Sequence, residues 1–363
     1  MPNSKFFRVG YGILLLFLII WVGVKINFIF HPLVVMFQTL FAPLLIAGVC
    51  FYLLRPIVRL LVRKRVPRTL AILIVYLAIA CLLTLLIIYV YPMIKGQFND
   101  LASSLPTLVQ TAIAKVNELA GSEWFNQMLE NFDLNLQQLS VKASEYAVIL
   151  VDLLGSNISY VIGFLTNLVL IAIVVPFILY YVLKDGEKMS GGLVKLLPVK
   201  NRADGRKLLA EMDETISLYV RGQITVAVCV GILLLIGYLI IGLKYAVLLA
   251  IAAMMTNVIP YVGAFIAAAP AVLVAMGSSP GMIIKVLIVT VVAQQIEGNL
   301  ISPQIMGKNL EIHPLTIILL LLVVGTLTGP IGLLLAVPTY AVAKIVITHV
   351  YQFIKLRNSD AAP

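Results

Sequence analysis

The chain has 363 residues, 61% of them hydrophobic and only 12% charged, far from the soluble norm of roughly half apolar and a quarter charged. Its formal charge of +10 arises from 26 Lys and Arg against 16 Asp and Glu, and these are spread as membrane orientation requires rather than gathered into a nucleic-acid surface. Cys50, Cys81 and Cys229 lie far apart in apolar runs, and His31, His313 and His349 are isolated. No HExxH, Walker A loop or Gly-x-Ser-x-Gly elbow is present, so nothing argues for a hydrolase or an ATP-driven pump, and no metal, cofactor or catalytic residue is expected.

The composition therefore predicts an all-α polytopic membrane protein. Its first apolar run, Gly10 to Phe30, follows Lys5 and Arg8. It is too long for a signal-peptide core and lacks a small-residue cleavage site, so it reads as a retained helix. Further runs begin near Leu33 and Thr69, making residues 1–91 three membrane helices, each long enough to cross about 30 Å of hydrocarbon. No Asp or Glu occurs before Asp100, while Arg55, Arg59, Arg63, Lys64, Arg65 and Arg68 crowd one short loop, which the charge rule places in the cytoplasm.

Residues 92–156 carry Lys95, Lys115 and Lys142 against Asp100, Glu118, Glu123, Glu130, Asp133, Glu145 and Asp152, an acidic balance that predicts an extracytoplasmic segment. Within it Phe98, Leu101, Leu105, Leu108, Val109, Ala112, Val116 and Leu119 recur at helical spacing. That stripe must cover the mouth of the protein, rest on lipid or pack on a neighbouring subunit. A fourth membrane helix follows at 157–183. The next segment, 184–218, is read as cytoplasmic and amphipathic, because Lys184 to Arg221 holds eight basic residues and Leu208, Leu209, Met212, Ile216 and Tyr219 form a second stripe.

The remaining membrane domain, 219–356, precedes a cytoplasmic tail at 357–363. Two of its apolar runs are interrupted: 245–276 by NVIPYVG and 315–354 by GTLTGPIG. A proline inside a helix removes a hydrogen bond and clashes one turn back, at a cost of about 3 kcal/mol or more. In lipid the freed backbone groups must find protein, water or substrate. Pro260 and Gly263 in the first break and Pro330 and Gly332 in the second form a weak internal repeat. Asn257, Tyr261, Thr326 and Thr328 add polar side chains there, the pattern of a transport site between broken helices. The competing reading is that the prolines are packing kinks. Each interrupted run crosses once or forms a re-entrant hairpin, giving about eight membrane helices or hairpins.

Between the two runs lies QQIEGNLISPQIMGKNLEIHP, Gln294 to Pro314. Gln294 to Asn299 extend a helix that starts near Gly281, whereas Ser302 to Pro314, with Pro303 and Gly307, read as a structured connection. It lies inside the cell if the runs are re-entrant and outside if they span.

Together, KDGEK (184–188), NVIPYVGAFIAAAPA (257–271), QQIEGNLISPQIMGKNLEIHPL (294–315) and GPIGLLLAVP (329–338) resemble the autoinducer-2 exporter family of bacterial membrane proteins. The resemblance covers nearly the whole chain and is most specific from Asn257 onward. It implies an eight-helix, homo-oligomeric inner-membrane transporter, with some members proposed to export a small signalling furanone and others similar to sodium/proton antiporters.

Glu297 and Glu311 are the only carboxylates between Thr215 and Ser359, and an ionisable group inside a membrane span is by default functional. Glu297 is placed either at depth or at the interface. For an uncharged solute, Asn257, Gln294, Gln295, Asn299 and Tyr261 supply donors, acceptors and a flat face; for a cation antiporter, Glu297 is the exchanging carboxylate. Pro260, Gly263 and Pro330 create the breaks themselves. Asp185 and Glu187, beside Lys184 and Lys188, read as an interfacial ion cluster or a gate, and Arg221 as a gating residue or an anion contact. The expected function is a secondary transporter or facilitator of a small polar solute in the cell membrane, with a sodium/proton antiporter and a non-transporting scaffold as alternatives.

Overall fold

The computed structural model describes residues 27–120, 158–195, 202–306 and 313–359, together with positions 198 and 199 and several between 10 and 21. The described positions between 10 and 21 are helical. The whole segment 121–157 lies outside the described residues, as do 307–312.

Apart from turns, the described chain is helical, with no strand among the described residues. In order it forms α1 (Asn27–Arg63), α2 (Arg68–Ala120), α3 (Ile158–Lys195), α4 (Arg202–Ile240), α5 (Ala246–Thr256), α6 (Val262–Met276) and α7 (Pro280–Ile296). A π-turn, Glu297–Ile301, then leads into α8 (Ser302–Met306), and α9 covers Pro314–Ser359. Among the described residues, five stretches are long and apolar enough to cross a membrane: Thr39–Arg63, Arg68–Thr111, Arg202–Ile240, Pro280–Met306 and Gly332–His349. Lipid offers backbone groups no partner, so these apolar sequences satisfy their hydrogen bonds internally as helices. The chain is an all-α polytopic membrane protein.

Helices α2 and α4 run through the boundaries at 91/92 and 218/219. At 53 residues, α2 is about 80 Å long, well beyond a hydrocarbon core of about 30 Å, so part of it stands clear of the membrane. Two cores hold the bundle. One joins α1, α2 and α3 through Ala47, Val58, Ala71, Ile72, Val75, Val175, Leu179 and Leu183. The other gathers Val226, Val230, Leu234 and Tyr238 of α4 with Leu249 and Ala253 of α5, Ala267, Ala271 and Val274 of α6, and Val286 and Ala293 of α7. Leu101 and Leu108 of the α2 stripe pack against this second core. The halves are tied by the Arg55–Asp213 ion pair at 2.6 Å and by Arg221 Nε donating to Tyr52 O at 2.7 Å.

The first interrupted run is a helical hairpin. At 11 and 15 residues its legs, α5 and α6, are about 16 and 22 Å long, so neither crosses the membrane alone. Both feet stand against one stretch of α2: Leu248 N donates to Gln97 Oε1 at 3.0 Å, and Gly277 abuts Leu108. The tip reaches the other way along α4, where Met254 meets Gly231 and Asn257 meets Gln223. The contacts of Gly237 with Val289 and of Gly222 with Met306 show that α7 and α8 run antiparallel to α4.

The second interrupted run also turns back. Gly329 breaks α9 with φ 69° and ψ −154°, a conformation that suits glycine. Leu333 Cδ2 lies 2.7 Å from where a Cβ on Gly325 would sit, whereas residues eight apart in a straight helix are separated by about 12 Å. The returning leg carries His349 to within 3.3 Å of Glu211, toward the Arg202 end of α4.

One expectation is corrected. Ser302 and Pro303 do not open a non-helical connection; the helix that begins at Pro280 continues through them to Met306. The π-turn makes this possible, because Ser302 N donates to Glu297 O and Pro303 then falls in the first turn of α8, where a missing N–H costs little.

Candidate functional site

The tip of the α5–α6 hairpin carries strained backbone. Tyr261 has φ 60° and ψ −55°, and Val262 N donates across it to Pro260 O at 2.6 Å. This is a classic γ-turn, a rare and costly conformation for a residue with a side chain. Pro260 fits just ahead of it because it has no N–H to satisfy. Gly263 is required by close approach, since a Cβ there would run into the Thr256 carbonyl oxygen and lie 2.7 Å from Asn257 Cα.

That turn presents Asn257, which is 2% exposed. Its Nδ2 donates to Glu297 Oε2 at 3.2 Å, and its main-chain oxygen accepts from Gln223 Nε2 at 2.8 Å. Gln294, one turn before Glu297 on the same face, has its amide beside that carboxylate but outside hydrogen-bonding geometry. The hairpin tip, the π-turn after α7 and the middle of α4 are thus joined by amides and one carboxylate. Glu297 itself is partly buried, and among the described residues its side-chain hydrogen-bond partner is the neutral amide of Asn257.

Behind this chain lies a crevice of about 220 Å³ lined by Tyr238, Asn257, Thr290 and Gln294 among alanine, valine and leucine side chains, and too narrow for a water molecule. Tyr238 is 1% exposed and its hydroxyl, which faces Thr290 outside hydrogen-bonding geometry, has no partner. Thr290 Oγ1 instead donates to Val286 O at 2.9 Å.

Asn257, Gln294 and Glu297 are therefore brought together, with Pro260, Tyr261 and Gly263 shaping the turn beside them. Gln295 and Asn299 lie on the exposed side of the π-turn, bonded to each other at 2.8 Å. Thr326 Oγ1 is used on Val323 O at 2.9 Å, just before the second break; the side chains of Thr328 and Pro330 lie outside what is described. Arg221 ties α4 to α1. Asp185 pairs locally with Lys188 at 2.7 Å, and that hydrogen bond holds its carboxyl below the usual range; the Glu187 side chain is outside the description. Three participants were missed in the sequence: Gln223, Tyr238 and Thr290. Tyr238 and Thr290 are lone polar residues among apolar neighbours, which marks burial but not partners, and Gln223 stands between Arg221 and Thr225, where nothing sets it apart.

The AI-2E family transporter model matches residues 13–352. YueF of Bacillus subtilis (strain 168), provisionally named a transport protein, is 42% identical over 358 residues, covering 99% of this chain and 97% of its own. YrrI of the same strain, also provisionally named a transport protein, is 32% identical with 95% of each chain covered. PerM of Escherichia coli (strain K12), provisionally named a permease, is 30% identical over 86% of this chain and 87% of its own. A matching family model over nearly the whole length, on an all-helical membrane fold with a broken hairpin pointing at a membrane carboxylate, makes this chain a member of the AI-2E transporter family.

Proposed function

We propose that the protein is a secondary transporter of the cell membrane that moves a small polar solute past the tip of the α5–α6 hairpin, with Glu297 as its coupling group. One observation carries this reading: a carboxylate on a membrane helix is held by Asn257 Nδ2 at 3.2 Å from the turn of a broken helix. Intramembrane carboxylates are costly and serve substrate or ion pathways, and broken helices supply the unpaired backbone groups such pathways use. The amides of Asn257, Gln294 and Gln223 suit a solute rich in hydroxyls and carbonyls, and the autoinducer-2 signal of the family's name is the first to test. Because the crevice behind them admits no water, transport requires the hairpin and α7 to part.

A sodium/proton antiporter is the second reading. It is favoured by the neutral partner of Glu297, since a carboxylate bound only by an amide can exchange a proton for a cation without breaking an ion pair. The eight basic residues between Lys184 and Arg221 support placing the Arg202 end of α4, and both termini, in the cytoplasm. Proteoliposomes with imposed sodium or proton gradients separate the readings. Solute uptake that survives without sodium and fails in Glu297→Gln supports the first; sodium-dependent proton flux without solute supports antiport. Absence of any flux, with function residing in residues 92–156, would make the chain a scaffold.

A further inference from the structure

The hydroxyl of Tyr238 is 1% exposed and has no partner. Buried polar atoms are nearly always hydrogen-bonded, so an orphan of this kind needs a physical reason. The contact of Gly237 with Val289 sets Tyr238 beside Thr290, at the end of the crevice away from Asn257. Gln294 lies one turn further along α7, and Val230 lies eight residues, about 12 Å, back along α4. Thr290, Gln294 and Glu297 recur at i, i+4 and i+7, which puts them in one stripe on α7. The crevice therefore carries the polar line of the Glu297 site toward the Ile240 end of α4. Its wall on the hairpin side is small: Ala253 on α5 and Ala264, Ala267 and Ala268 on α6. Alanines interlock little, so the hairpin can withdraw from α7 without disengaging long side chains.

We infer that this crevice, closed in the structure, is the next stretch of the solute's path, and that the Tyr238 hydroxyl donates to a solute or water oxygen once it opens. The inference rests on the transporter reading above. In the closed form the hydroxyl is stripped of water and unpaired, which is unfavourable; in the open form it is satisfied. Thr290 Oγ1 already donates to Val286 O at 2.9 Å, so it adds acceptor capacity beside the tyrosine donor. A hydroxyl- or carbonyl-bearing solute fits that pair. The orphan hydroxyl thus favours opening, whereas phenylalanine at this position would keep the ring packed against the core and remove the bias. A tyrosine retained only for packing would have the opposite signature, because its loss would loosen the closed form.

The test uses the full chain in proteoliposomes, with Cys50, Cys81 and Cys229 replaced and Ala267→Cys, at a position 5% exposed, as reporter of opening. The probe is methanethiosulfonate ethyltrimethylammonium, and autoinducer-2 flux is measured alongside. The introduced thiol is expected to react slowly. Tyr238→Phe should slow both that reaction and the flux by roughly 5- to 150-fold, the population shift that one unpaired buried hydroxyl can set, with the thermal midpoint equal or higher. No reaction at position 267, a rate unchanged by Tyr238→Phe, or a faster rate with a lower midpoint overturns the inference. Slower reaction with unchanged flux overturns it too, since the crevice then opens without carrying solute. Glu297→Gln separates the two readings. Flux lost there but untouched by Tyr238→Phe removes the crevice alone; flux that survives there while the Tyr238 responses hold removes Glu297 as coupling group and keeps the crevice. Absence of autoinducer-2 flux in the wild type overturns that solute, and the thiol reaction then decides the crevice.

Discussion

Glu297 differs from Asp213, Asp185 and Glu211 in what holds it. Asp213 and Asp185 face basic side chains at 2.6 and 2.7 Å, and Glu211 faces His349, whereas Glu297 is held by the amide of Asn257. Glu297→Gln keeps the volume and an acceptor for Asn257 Nδ2 but removes the exchangeable proton. Coupled flux in proteoliposomes is therefore expected to disappear while the thermal midpoint in detergent hardly moves. Asn257→Ala removes a hydrogen bond to a charged acceptor, worth about 1.5–3 kcal/mol, so flux is expected to fall roughly 10- to 100-fold. Its main-chain oxygen still receives Gln223. Gln223→Leu strands that buried oxygen, at about 1–3 kcal/mol, and should lower the thermal midpoint as well as the flux. If Asn257→Ala and Gln223→Leu lose stability equally and transport normally per folded molecule, the polar chain is scaffolding and not a pathway.

Helical breaks are legible in sequence when two breakers stand together, as Pro260 and Gly263 do in NVIPYVG. What they do next is not legible. Crossing once and doubling back bury the same apolar residues, and only contacts such as Leu248 and Gly277 against α2 decide between them. The polar partners were half legible for the same reason: Asn257, Gln294 and Glu297 cluster in motifs, but Gln223 sits 34 residues from Asn257, on a helix whose neighbouring polarity looks cytoplasmic. Pro303 misled because a π-turn moves it to a position where proline is harmless, and no local composition marks such a turn. The two glycines of these elements make a paired test. Gly263→Ala forces a Cβ into the Thr256 carbonyl and should cost about 1–3 kcal/mol or more, seen as a drop in thermal midpoint. Gly298→Ala in the π-turn has nothing within 4 Å of the new Cβ and should leave the midpoint nearly unchanged.

For the whole molecule, two hairpins meet α4 from opposite ends. The feet of α5 and α6 stand beyond its Ile240 end, while the return leg of α9 reaches Glu211 toward its Arg202 end; α7 and α8 cross between them, antiparallel to α4. If the basic Arg202 end lies in the cytoplasm, as we propose, the turn at Ser278 faces outward and His313 faces inward; both residues are exposed. The prediction follows in a background where Cys50, Cys81 and Cys229, all free thiols, have been replaced. Ser278→Cys should react with a membrane-impermeant maleimide added to intact cells. His313→Cys should react only in inverted vesicles or after permeabilisation. Had 245–276 crossed the membrane once, the chain would emerge at Ser278 on the cytoplasmic side and reach His313 outside, so the two labelling patterns would exchange. Exchange would remove the hairpin tip from the path between the two faces, and with it the reason for Asn257 to meet Glu297.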